Sequence, residues 1–179
     1  LAAGFTFVIA LVLGKFMLRL NGVFFGIGMF GIARVCESLA MGLDGITQGG
    51  TGLYVDVVDL QTLYFVIAGI AMIMIIITWQ LDSSRLGLQL LTIREDETAA
   101  KALGVRTTQL KVATFAASAR VPGAVGSLNV SYLGFVDPPT AFAMMTELTT
   151  IAMVLLGGLG TVLGPLVGVV TLSVVNELL

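Results

Sequence analysis

The chain has 179 residues, of which 57% are apolar and only 11% charged, with a formal net charge of -2. Its mean hydropathy of +1.03 excludes an ordinary soluble domain, which has roughly a quarter charged residues and enough polar side chains to cover its surface. The absence of histidine removes Ser-His and Cys-His catalysis and every histidine-ligated metal site, and the charge balance leaves no basic footprint for nucleic acid.

The chain opens on Leu1, already inside an apolar stretch, so residues 1–14 read as part of a membrane span and further spans are expected beyond one or both ends. Nothing in it resembles a signal peptide. Residues 23–41 predict a second span, marked by Arg34 and Glu37 within it; Cys36, the one cysteine, reads as a small apolar helix residue. Leu60 to Trp79 is a third, free of charge, with Trp79 as an interfacial anchor. Val112 to about Tyr132 predicts a fourth, interrupted by Arg120 and Pro122. From Glu147 to Leu179 the chain is apolar again but divided by GGLGTVLGP (Gly157 to Pro165). That block reads equally as two short helical pieces meeting inside a bundle or as a loop at the membrane surface. The fold class expected is an all-α, polytopic transmembrane helical bundle, with residues 1–179 forming a single transmembrane domain.

Basic residues orient these spans. Lys15 and Arg19 follow the first; Arg85, Arg94, Lys101, Arg106 and Lys111 crowd into 80–111. The stretches 42–59 and 133–146 hold no Lys or Arg, only Asp44, Asp56, Asp59 and Asp137. The positive-inside rule therefore places 15–22 and 80–111 in the cytoplasm and the acidic loops outside, in agreement with strict alternation of four spans.

Within 80–111, Thr92 to Glu95 fits an N-terminal capping box, Glu95, Asp96 and Glu97 suit a first helical turn, Lys101 a last one, and Gly104 a stop. A short helix over 93–103 is predicted, whose apolar residues Ile93, Ala99, Ala100 and Leu103 share an arc of about 120°. Such a face suits a groove on a soluble partner, or equally the membrane surface or the bundle itself.

RLGLQLLTIREDETAAKALGVRTTQLKVATFAASA resembles the cytoplasmic loop of bacterial ABC-type permeases for branched-chain amino acids, the LivM-like subunit, close to the pattern R-x-G-x-x-x-x-A-I-R-E-[DN]-E-x-A-A-x-x-L-G. Upstream, LRLNGVFFGIGMFGIARVCESLAMGLDGITQGGTGL resembles the family's R-L-x-G-x-Y/F-F-A segment and its T-x-G-x-x-G-L loop; downstream, VLLGGLGTVLGPLVGVV resembles its glycine-rich C-terminal stretch. Thr92 stands where the family usually has Ala. The resemblance implies a coupling helix that docks on an ATPase, carried here by Arg94, Glu95, Asp96, Glu97, Ala99, Ala100, Leu103 and Gly104. It implies a permease subunit in the bacterial inner membrane, moving branched-chain amino acids by alternating access. Its partners would be two ATP-binding subunits, a homologous second permease and an external substrate-binding protein. ATP would be bound by the partner subunits, so this chain would need no cofactor and be no enzyme. Permeases for urea and other small amides look similar.

Glycine stretches here lack the G-x-x-x-x-G-K-[ST] pattern of a phosphate loop and suit close helix packing instead. Arg34 and Glu37, three residues apart, can pair as a structural unit or line the translocation path. Arg120 has no partner at helical spacing, and Glu147 is its candidate partner across helices. Two rivals from other classes are an intramembrane enzyme using Asp44, Asp56, Asp59 or Glu147 as acid-base groups, and a passive channel. The latter would have no use for a capped cytosolic helix.

Overall fold

Where the sequence is continuously apolar, the chain is continuously helical. The structure, a computed structural model, describes residues 1–20, 22–158 and 160–178, apart from the side chains of Val23, Asp44, Ile46 and Asn176. Leu159, inside the Gly157–Pro165 break, and the final Leu179 lie outside the described residues.

Among the described residues ten α-helices run α1 (Ala2–Met17), α2 (Val23–Gly42), α3 (Asp44–Thr47), α4 (Leu60–Asp82), α5 (Arg85–Glu95), α6 (Glu97–Ala102), α7 (Thr107–Leu133), α8 (Pro138–Ala141), α9 (Met144–Gly157) and α10 (Gly164–Leu178). Among the described residues three stretches are long and apolar enough to cross a membrane: Phe24–Gly42, Leu60–Asp82 and Pro138–Gly157. Ala2–Met17 and Gly164–Val175 are shorter apolar helices. Most large side chains on α4, including Tyr64, Phe65, Met72 and Ile73, are exposed. In water this would be untenable, whereas hydrocarbon solvates them. The chain is an all-α integral membrane protein.

The fourth expected span, 112–132, becomes a helix but falls short in apolarity. α7 runs unbroken through Pro122 for 27 residues. Thr114, Ser118, Arg120, Ser127, Asn129 and Ser131 keep it out of the apolar set. Its main neighbour is α1, packed antiparallel: Gly123 lies on the Thr6 side chain and Gly14 on the Phe115 ring, where an added methyl would come within 3.0 Å. Small residues let the two backbones approach, the usual device when lipid supplies no hydrophobic drive between helices.

The same device settles the last apolar block. A methyl on Gly157 would collide with the Gly164 carbonyl, and one on Gly168 with the Met153 carbonyl, so α9 and α10 lie antiparallel with backbones in contact. Of the two readings of 147–179, paired helical pieces are what forms. The glycines serve packing, and Gly158 and Gly160, at φ +95 and +85, make the turn between them.

The two acidic loops meet. Leu53–Tyr54 and Phe135–Val136 pair as a two-residue antiparallel ribbon, Leu53 opposite Val136 and Tyr54 opposite Phe135. Gly52 (φ +71) is required there, because the Phe135 ring and the Val136 carbonyl occupy the space of any side chain, within 2.8 Å. Asp59 caps α4 by accepting from the Thr62 amide at 3.3 Å, which gives that carboxylate a structural task.

Candidate functional site

Two groups of charged side chains stand out, one near each end of the bundle. Near the acidic end, Arg34 on α2 donates to Glu37 at 2.6 Å, one turn along the same helix. It also donates to Glu147 in the first turn of α9 at 3.0 Å and to the Phe142 carbonyl. That carbonyl is free because the chain leaves helical geometry at Phe142 and Ala143, between α8 and α9. Phe30 lies under the guanidinium, 5.3 Å from ring centroid to Cζ, and Nε is buried with no partner among the described residues. Arg34 thus faces two carboxylates and a broken-helix carbonyl, so the expected pair is a triad with one surplus negative charge.

Glu147 does not meet Arg120, contrary to expectation. Helix α9 starts beside α2, and Arg34 takes the carboxylate first. Arg120 instead stacks on Phe7 of α1, 3.9 Å from the ring centroid, and no carboxylate pairs with it among the described residues.

At the basic end the single helix expected over 93–103 is two. Thr92 caps nothing: the preceding turns, started by the Ser84 cap on the Gly87 amide at 3.2 Å, already hold it inside α5, and its hydroxyl donates to the Gln89 carbonyl at 2.8 Å. Asp96 is the cap. Its backbone is extended (φ -153, ψ 109), and its carboxylate accepts from the Thr98 and Ala99 amides at 2.7 and 3.1 Å. Gly104 does end the second helix as expected, at φ +82: its amide closes on the Lys101 carbonyl at 3.0 Å and the Val105 amide on Ala100 at 3.1 Å.

The bend at Asp96 breaks the helical phase, so the predicted four-residue face does not exist as one surface. Ile93 and Ala100 are buried within the chain, Ala100 to 1% exposure, while Leu103 is 79% exposed and Ala99 also open. Glu95 points into open surroundings. Arg94 lies against the α9–α10 turn, its Cζ 2.8 Å from where a Gly160 methyl would be. Sequence reasoning missed this contact, which nothing in the spacing signals.

Glu97 anchors the elbow to the bundle. Lys111 of α7 bonds one carboxylate oxygen, Lys101 the other at 3.0 Å, and the buried Thr107 hydroxyl approaches at 3.4 Å. The hydrogen bond from Lys111, then that from Lys101, hold its carboxyl down at about 2 against an ordinary 4.5, with burial opposing. The Glu97–Lys101 spacing of four was legible on one helix; the Lys111 partner was not.

A cavity of about 400 Å³ opens beside this group, lined by Arg19, Glu97, Thr98, Lys101, Thr108 and Lys111. The two basic segments that the positive-inside rule puts on one side, 15–22 and 80–111, therefore meet around one space. A separate recess of about 410 Å³ between α4 and α7 is apolar apart from Asn129, Tyr64 and Tyr132, and holds no charged group.

No solved structure matches the chain significantly. Over 87 residues it is 36% identical to the high-affinity branched-chain amino acid transport system permease protein LivM of Salmonella typhimurium and 33% identical to LivM of Escherichia coli. In each case the aligned stretch covers 49% of this chain and 20% of the relative, so only about a fifth of those proteins' length is matched. The profile of the branched-chain amino acid transport system permease components matches residues 1–179, and the chain, with its apolar helices, belongs to that transport family.

Proposed function

We propose that this chain is the transmembrane part of an ATP-driven importer in a bacterial inner membrane, with branched-chain amino acids as cargo. It works beside a homologous second permease, two ATP-binding subunits and an external substrate-binding protein. The elbow α5–α6 is the docking element for an ATPase subunit, and transport follows alternating access. Nucleotide shifts the population by binding more tightly to one of the two states. Asp96, Glu97 and Gly104 shape the elbow, Arg94 ties it to the α9–α10 turn, and Glu95, Ala99 and Leu103 meet the partner. The Arg34–Glu37–Glu147 triad and Arg120 stand along the translocation path. The cargo reading rests on the family match and on the branched-chain amino acid transport of the LivM relatives.

One observation carries the docking assignment. Leu103 is a large apolar side chain, 79% exposed, at the end of a helix capped at both ends and fixed to the bundle through Glu97. An exposed leucine held on a rigid support suits an anchor for a partner's pocket. Leu103→Arg should insert and fold normally, yet weaken retention of the ATPase subunits about thirtyfold or more and abolish leucine uptake. Co-purification of the ATPases and uptake into vesicles measure both. Retention and uptake at the unsubstituted level would defeat the docking assignment. Ala100→Arg is no test of docking, since it would bury a charge inside the chain and damage the elbow itself.

A further inference from the structure

The cavity at the basic end has a composition that helix docking does not explain. Arg19, Lys101 and Lys111 contribute three positive charges to its lining against the single carboxylate of Glu97, with the Thr98 and Thr108 hydroxyls between them. Glu97 occupies both lysines, which leaves Arg19, exposed and with no carboxylate on it among the described residues, as the least compensated cation. At the N-terminus of the 27-residue α7, the amides of Thr108 and Gln109 find no acceptor among the described residues, which adds partial positive charge on the same side. We infer that this cavity binds a phosphate ester, and that the ester is the headgroup of an anionic phospholipid.

The position selects the lipid. Leu18 and Arg19 directly follow the apolar helix α1, and Thr108 lies in the first turn of α7, so the cavity lies where these two packed helices end, among the Lys- and Arg-rich segments that the positive-inside rule puts at the cytoplasmic face. At 100° per residue, Phe5, Val8, Val12 and Phe16 form one exposed apolar face of α1, and Arg19 follows in the same direction. Acyl chains lying along that face would bring a headgroup to the guanidinium. The anionic leaflet is the cytoplasmic one, where basic pockets between membrane helices recognise acidic headgroups. This inference does not depend on the cargo; Glu97, Thr98 and Lys101 stand on the same elbow α5–α6 as the proposed docking element, but Ala99 and Leu103, which would meet the ATPase, do not line the cavity.

The test uses the complete transporter in detergent, with native mass spectrometry reading the binding of short-chain phosphatidylglycerol, phosphatidylcholine and inorganic phosphate. Phosphatidylglycerol should bind in preference to phosphatidylcholine. Arg19→Gln and Lys101→Gln should each weaken it about fivefold, and Arg19→Lys should restore most of the loss. Glu97→Gln, which releases two lysines, should tighten it, a change of sign that mere structural damage would not produce. Competition by inorganic phosphate would support the site and assign it to the free ion, while its absence assigns it to the lipid. Unchanged phosphatidylglycerol affinity in both Arg19→Gln and Lys101→Gln overturns the inference. So does loss of the ATPase subunits with lipid binding intact, which would make this a protein-docking surface.

Discussion

The Arg34 and Glu97 groups are opposites built by the same logic. One is a guanidinium between two carboxylates; the other is a carboxylate between two ammonium groups. Arg34 stands on a helix long and apolar enough to span the membrane, is flanked by Glu37 and Glu147, and recruits a backbone carbonyl from a broken helix as well. Glu97 lies outside the spans, where solvent reaches all three partners and Lys101 is more than half exposed. The chemistry is similar, but the energetic stake depends on the medium. Deep in the membrane a missing counter-charge is costly, whereas at the surface it is largely screened.

Substitutions can break this contrast in order of size. Arg34→Leu leaves two carboxylates facing each other inside the membrane and should cost about 3–5 kcal/mol, seen as loss of folded protein in detergent. Glu147→Leu should cost less, about 1–3 kcal/mol, since Arg34 keeps Glu37 and the Phe142 carbonyl. Replacing Arg34 and Glu37 together leaves Glu147 unpaired, so recovery of folded yield should require the triple apolar change. Full recovery by the double would show that Glu147 is not part of the unit.

The smallest effect belongs to Glu97. Its carboxyl titrates near 2 when folded and near 4.5 otherwise, so the unfolded chain takes up the proton first as pH falls. The stability it contributes is complete above 4.5 and is lost as pH drops from there through about 2. Thermal unfolding followed across that window should show an acid-side decline that Glu97→Gln removes, worth at most about 1 kcal/mol for so accessible a group. An identical decline in the variant would assign it elsewhere.

Local spacing carried much of this protein. Apolar runs of about 20 residues marked Phe24–Gly42 and Leu60–Asp82 as membrane helices, whereas 112–132 became a helix of lower apolarity and Pro138–Gly157 reached into the stretch expected as an outer loop. A separation of three brought Arg34 to Glu37, and the distribution of Lys and Arg marked the segments that gather at one end. Gly104 ended its helix because only a left-handed residue closes those carbonyls. Competing local signals misled where two caps overlapped: a capping box at Thr92 lost to Asp96 because α5 had already started at Ser84.

Everything that joins distant segments was decided by packing. Glu147 chose Arg34 over Arg120 because α9 begins beside α2 and not beside α7. Ala100 turned inward because the elbow at Asp96 rotated its helix against the bundle. Arg19, Lys101 and Lys111 share one cavity because glycines let α1 and α7 approach closely enough to align their ends. Helical periodicity determines neighbours three and four residues apart; which helices touch depends on how small residues and broken turns fit together, and that is settled only when the whole bundle assembles.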